Sequence, residues 1–142
     1  MSRKEPSPIY LAFLSVVQER WPEFMSYSSI SEHGDLVVEY PSPYTMNASV
    51  LWISADVHYD EIIVSFGGGH MHGGAWDDIS APDYQFQSTI KLIDAILNDE
   101  VVGCTLKSGG ALGYLEYLKK QPYWCNVRSI RSWCGTHDVD LS

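Results

Sequence analysis

The 142-residue sequence predicts an α+β domain with a single, mostly antiparallel sheet of five to six strands and two helices. Two stretches carry apolar residues at three- and four-residue spacing, the pattern of helices packed on a core. Several shorter stretches alternate apolar and polar residues and are bounded by Gly, Pro or Asp, the pattern of strands. Their order is helix, three strands, helix, then two or three strands, which indicates one sheet with helices on a face.

The first helix is predicted over residues 8–21, where Pro22 ends it. The second is predicted from Ser80 through residue 98, with Asp83 placed in its first turn to suit the helix dipole. The residues that carry the two apolar stripes are Tyr10, Phe13, Leu14, Val17 and Trp21 in the first helix and Phe86, Ile90, Ile93 and Leu97 in the second.

Strands are predicted wherever the apolar period changes to two. The connection 56–60 is short enough for a hairpin, which favours an antiparallel meander over the first three strands. Residues 111–118 fit both a helix and a strand, and the turn before them favours a strand. The predicted strands are 36–40, 49–55, 60–66, 101–106 and 123–133, and residues 135–142 are expected to form a polar tail.

Composition limits the function classes. The length is that of one domain, so a single domain over residues 1–142 is expected. Eighteen acidic and nine basic residues give a net charge of −9, which argues against nucleic-acid binding and favours a basic partner. The sequence has no apolar run long enough for a membrane span, and its three cysteines indicate a reducing, cytoplasmic location.

The glycine-rich stretch after the third strand contains His70 and His72. Residues two apart on an extended segment point to the same side, so both imidazoles could face one metal ion, with a third ligand from Asp77, Asp78 or His58. Two ligands do not make a site, so no metal or other cofactor is assigned. The run Gly67–Gly69 lacks the lysine and the helix of a phosphate loop, and it favours a sharp turn or a close backbone approach.

Acidic and aromatic residues gather in two places that favour a protein contact over catalysis. Asp56, Asp60 and Glu61 surround the proposed hairpin, where their composition favours a solvated turn and a binding patch is the alternative. Trp76 lies beside two carboxylates in the glycine-rich region, where it could contact a partner, as Trp and Tyr commonly do at interfaces, or pack over the sheet. The candidate partner contacts are therefore Asp56, Asp60, Glu61, Trp76, Asp77 and Asp78.

Two segments resemble small bacterial immunity proteins of polymorphic toxin systems, of the contact-dependent inhibition and Rhs types. The first is the strand ending Ser65-Phe66-Gly67 and running into His70-x-His72, and the second is the Ser-Trp-x-Gly-Thr-x-Asp-x-Asp-Leu-Ser close at 132–142. The resemblance covers roughly residues 35–142. It departs from the family pattern at Gly73 and Gly74, where an aromatic residue is commoner.

The resemblance implies a cytoplasmic protein that binds its cognate toxin domain, blocks it, and is not an enzyme. Many such toxins are basic nucleases, which agrees with the acidic composition. The oligomeric state is left open. An alternative of another class is a small metal-dependent enzyme that uses His70 and His72, and a third is an adaptor with the same fold.

Overall fold

The computed structural model describes residues 8–44, 50–56, 61–73, 87–120 and 127–140. The α+β class is confirmed, but the single sheet is wrong: the described strands form two antiparallel sheets, one of five strands and one of four. The period of a strand identifies it as a strand but does not show whether it joins the sheet of the preceding strand, so the sequence did not predict the number of sheets. The chain groups into two compact units, the first comprising 1–40, 52–64 and 72–89 and the second 41–51, 65–71 and 90–142. A single domain over 1–142 stays a prediction.

The first unit begins with α1, Pro8–Arg20, which confirms the first predicted helix. Phe13 and Val17 lie one turn apart on this helix and are fully buried. Pro22 ends α1 but does not end helical structure, because a 3-10 helix follows over Pro22–Tyr27. Proline is well suited to the first helical position, where its missing N–H loses no hydrogen bond. This short helix was not predicted.

The five-stranded sheet has the order β1-β2-β3-β4-β5, with β3 at its centre. Alternate residues along the inner strands are buried: Leu36 and Val38 in β2, Ile53 in β3, and Ile62 and Val64 in β4. The predicted strands over 36–40, 49–55 and 60–66 are confirmed to within one residue at each end. The strand bounds are Ser28–Ile30 for β1, Leu36–Pro41 for β2, Val50–Asp56 for β3, Glu61–Phe66 for β4 and Gly69–Gly73 for β5.

The glycine run between β4 and β5 is a two-residue hairpin turn. Gly67 and Gly68 have φ values of 58° and 90°, and a type I′ turn needs positive φ at both central residues. The same turn approaches another backbone closely, since a Cβ on Gly69 would collide with the carbonyl oxygen of Ala111, and one on Gly110 with that of Gly68. Both expectations for the glycines, a sharp turn and a close approach, are confirmed. The strand β5 that follows was not predicted.

The four-stranded sheet of the second unit has the order β7-β6-β8-β9. Its core cluster contains Val102, Cys104, Leu115, Val127 and Ile130. The second predicted helix is confirmed over its described part, and residues 80–86 lie outside the described residues. The bounds are Gln87–Leu97 for α2, Val101–Leu106 for β6, Gly109–Tyr114 for β7, Leu115–Lys120 for α3, Val127–Arg131 for β8 and Val139–Asp140 for β9.

Three details of the second unit correct the sequence predictions. The ambiguous segment 111–118 is a strand only to Tyr114, and α3 begins at Leu115, whose N–H donates to the Glu100 carbonyl at 2.9 Å. Leu115 and Leu118 then both pack on the core cluster, as residues three apart on a helix can. The last strand is shorter than predicted within its described part and ends at Arg131. The expected polar tail contains an ordered turn and β9.

Candidate functional site

The two units differ sharply in charge. Twelve of the 18 acidic residues and three of the nine basic residues belong to the first unit, which therefore carries a formal charge of −9. The second unit holds the other six acidic and six basic residues, and its formal charge is zero. The whole net charge of the protein thus belongs to one unit. Among the described residues of that unit, the one basic side chain is Arg20, at the end of α1.

Two of the six predicted contact residues lie in the described strands. Asp56 is the last residue of β3 and Glu61 is the first of β4, the next strand of the same antiparallel sheet, so both belong to one end of that sheet. The other four predicted contacts, Asp60, Trp76, Asp77 and Asp78, lie outside the described residues.

Glu61 is held by a specific partner. Its Oε1 lies 2.8 Å from Nδ1 of His72 on β5, and the Glu61 side chain is only 13% exposed. A carboxylate fixed in this way has lost most of its rotamer freedom before any ligand arrives. Glu61 is therefore a pre-ordered hydrogen-bond acceptor at the sheet surface.

Two residues that share this side of the sheet were not predicted from the sequence. Because side chains alternate along a strand, the residues between the buried positions point the opposite way. Trp52 on β3 is 43% exposed, and Glu39 on β2 is also exposed and forms no ion pair with any described residue. We define the outer face as the residues of the first unit that lie on this side of strands β2 to β5: Val37, Glu39, Trp52, Ser54, Glu61, Ile63 and His72.

The outer face combines apolar area with negative charge. The five strands of this sheet contain three acidic residues, Glu39, Asp56 and Glu61, and no Lys or Arg. An antiparallel sheet with one solvated side usually carries polar residues there, whereas this side carries an indole and Ile63. The sequence signal for this apolar side is the alternation of Val50, Trp52 and Ser54 in β3. The intervening residues Leu51, Ile53 and Ala55 are equally apolar, so this alternation could not be recognised.

The possible third ligands of the histidine pair, His58, Asp77 and Asp78, lie outside the described residues. His70 and His72 lie on β5 and are exposed, with half-buried Met71 between them. Within the described ranges, no three His, Cys, Asp or Glu side chains come together as a metal site would require. His72 contacts the Glu61 carboxylate, which links this imidazole to the outer face.

Two of the three cysteines are described, and neither forms a disulfide. Burial raises the pKa of the Cys104 thiol, which donates to the carbonyl oxygen of Ala111 at 3.4 Å. A raised pKa keeps the thiol protonated, and a protonated thiol is a poor nucleophile. Cys134 is partly exposed, with its sulfur 3.0 Å from the Thr136 hydroxyl, and Cys125 lies outside the described residues.

The C-terminal motif builds a turn between β8 and β9. The Asp138 carboxylate accepts from the Ser132 N–H at 2.7 Å and from its hydroxyl at 3.3 Å, and Gly135 supplies a left-handed φ of 81°. The Ser132 hydroxyl also accepts from the backbone N–H of His137, not from the imidazole. Since Ser132 is fully buried, this grouping is not a nucleophile–base pair.

Trp133 of the same motif is part of the packing. It is buried, its ring lies 5.7 Å from that of Phe66, and its carbonyl oxygen accepts a 2.6 Å hydrogen bond from the Ser42 hydroxyl. Arg131 just before it pairs with Asp140 at 2.7 Å. The residues of the motif are thus engaged in internal contacts of the second unit.

No family model, curated protein or solved structure matches this chain. In the described part of the chain, no helix has both the length and the apolar character that a membrane crossing requires. Function is therefore inferred from the residues themselves.

Proposed function

We propose that this protein is an immunity protein, which binds and neutralises a cognate cationic toxin domain in the cytoplasm of the cell that makes it. The observation that carries the proposal is the confinement of the entire net charge of −9 to the first unit. A charge spread evenly for solubility would be shared by both units. The resemblance of the two motifs to immunity proteins supports the same function.

The physical basis is electrostatic complementarity. A strongly negative surface raises the encounter rate with a basic protein and repels nucleic acid and anionic membranes. A nuclease that binds a polyanion presents a cationic substrate channel, and an acidic protein competes for that channel with the substrate. Neutralisation then needs no turnover and no cofactor, only an affinity high enough to keep the channel occupied.

Growth rescue tests the proposal directly. We expect the gene to lie next to one for a large secreted protein with a variable C-terminal domain, and that domain is the probe. Expression of the domain alone should stop growth, and co-expression of the 142-residue chain should restore it. A domain that remains fully toxic and forms no complex with the purified chain would contradict the proposal.

The salt dependence of binding tests the electrostatic part. Surface-immobilised toxin domain should capture the chain with an association rate that falls about tenfold or more between 50 and 500 mM NaCl, because screening removes long-range steering. The dissociation rate should change much less, since it depends on short-range contacts. An association rate indifferent to salt would remove steering from the mechanism.

A further inference from the structure

We infer that the cationic partner docks on the outer face, with Trp52 as its apolar anchor and Glu39 and Glu61 as its carboxylate contacts. The inference rests on the proposed function, because it assigns to that function a surface and a set of contact residues. Of these three residues, only Glu61 was identified from the sequence.

Trp52 has the properties of an interface anchor. It lies on β3, the central strand of the five, so the rigid sheet supports it on both sides. Its indole is 43% exposed, so a large apolar area faces solvent. Rigid, partly exposed Trp side chains near the middle of a surface are the commonest source of large binding contributions.

The carboxylates on the neighbouring strands differ in exposure, since Glu39 is exposed and the Glu61 side chain is only 13% exposed. Glu39 on β2 is exposed and forms no ion pair with any described residue, and Glu61 on β4 is fixed by His72 at 2.8 Å. A carboxylate oxygen has two lone pairs and a carboxylate has two oxygens, so the His72 contact leaves Glu61 able to accept from a Lys or Arg. No Lys or Arg of the five strands competes for either group.

The negative charge of the first unit determines which kind of partner can bind the outer face. Nucleic acid and anionic lipid carry the same sign as the first unit and are repelled. A second copy of the chain would bring another unit of charge −9 against this one, which disfavours a homodimer through the same face. A cationic protein that presents Lys or Arg around an apolar pocket fits both the charge and the indole.

Two substitutions test the assignment with the cognate domain. Trp52→Ala should weaken binding about 30-fold or more, because it removes the central anchor. Glu39→Lys should weaken it about tenfold, mainly through a slower association rate, because it reverses a charge at the rim. Isothermal titration calorimetry gives the dissociation constants, and thermal unfolding verifies that both variants keep a transition temperature close to the parent's.

Matched controls come from the second unit. Tyr114→Ala removes an aromatic ring that is 63% exposed, more than Trp52, and Glu100→Lys changes the net charge by the same amount as Glu39→Lys. Both controls should bind within about twofold of the parent. Tyr114→Ala leaves the outer face unchanged, and Glu100→Lys has only the long-range charge effect that it shares with Glu39→Lys. Equal losses for Glu39→Lys and Glu100→Lys, together with an unaffected Trp52→Ala, would overturn the docking face and leave the proposed function standing.

A probe other than the toxin domain distinguishes a failure of the docking face from a failure of the proposed function. Octa-arginine added to the ¹⁵N-labelled protein should shift the amide signals of Glu39 and Ile63, the indole N–H of Trp52 and the signals of His72, whereas octa-glutamate should shift none. Shifts centred on Glu19 of α1 or on the second unit would overturn the docking face. If the parent fails to bind the toxin domain but octa-arginine maps to the outer face, the proposed function is wrong and the cation-binding face is retained.

Discussion

The first unit carries twelve acidic and three basic residues and presents Trp52 half-exposed on the central strand of its sheet, whereas the second carries six of each and buries Trp133. The two tryptophans illustrate the difference. Trp133 packs 5.7 Å from Phe66, and its carbonyl is hydrogen-bonded to Ser42. Trp52 has a large apolar area in solvent and an acidic residue on each neighbouring strand.

This difference separates the residues that maintain the fold from those proposed to bind. The C-terminal motif, which carries much of the resemblance to immunity proteins, forms a turn with internal contacts. The Asp138 carboxylate accepts from the Ser132 N–H, and Gly135 takes the left-handed conformation. Such a motif specifies an architecture and not a partner. Substitutions of the buried and hydrogen-bonded residues of the second unit should therefore reduce stability, while substitutions of exposed residues on the outer face should reduce binding at little cost in stability.

Gly103→Ala should have the largest effect. A Cβ on Gly103 would collide with the carbonyl oxygen of Phe66 and with Cα of Gly67, which are backbone atoms that cannot rotate away. We expect a loss of about 3 kcal/mol in the free energy of unfolding, because overpacking against backbone forces the two segments apart. For a chain of this length that corresponds to a melting temperature lower by roughly 10 °C, measured by circular dichroism.

Gly113→Ala is the matched control for that substitution. Gly113 lies on the neighbouring strand β7, and a Cβ there would first meet the flexible side chain of Leu118 at 3.4 Å. We expect a change of less than about 0.5 kcal/mol. Equal destabilisation by both substitutions would show that the close approach at Gly103 is not what restricts this position to glycine.

Asp138→Ala should have an intermediate effect. The substitution leaves the buried Ser132 N–H and hydroxyl without their acceptor, which costs about 2 kcal/mol. Asp140→Ala is the comparison, because its ion pair with Arg131 lies on a side chain that is 70% exposed, and such pairs contribute less than about 1 kcal/mol. Urea unfolding gives both values. A larger loss of stability for Asp140→Ala than for Asp138→Ala would show that the Asp138 hydrogen bonds are not what stabilises this turn.

The fold could be predicted where one face of an element is clearly apolar. In β4, Ile62, Val64 and Phe66 alternate with positions of which two are polar, Glu61 and Ser65, and the strand was located to within a residue. The segment 69–73 could not be identified as a strand, because glycines and histidines have no strand pattern and β5 depends on the turn at Gly67 and Gly68. The division into two sheets falls between β5 and β6, and no local pattern in these strands shows that they do not pair.

The candidate site was only partly predictable for a related reason. Glu61 was identified by its neighbours in sequence, but its partner His72 lies eleven residues away and is brought to it by the β4–β5 hairpin. Glu39 appeared to be an ordinary polar position of an alternating strand. Trp52 was hidden because both faces of β3 are apolar in sequence, so only the structure distinguishes the buried residues Leu51 and Ile53 from the exposed indole.

Cys104 offers the smallest expected effect and the most specific one. Burial raises its pKa above the ordinary value of 9.0, so the folded state keeps a proton that the unfolded state loses. The resulting stabilisation is fully present below pH 9, and it is lost as the pH rises through the folded-state pKa. Urea unfolding at pH 8 and at pH 10 should therefore show a decline in the parent that is smaller in Cys104→Ala. Because Cys125 and Cys134 remain in both proteins, an identical decline would show that Cys104 is not the group that titrates, and that alkaline sensitivity belongs to another part of the second unit or to the acidic first unit.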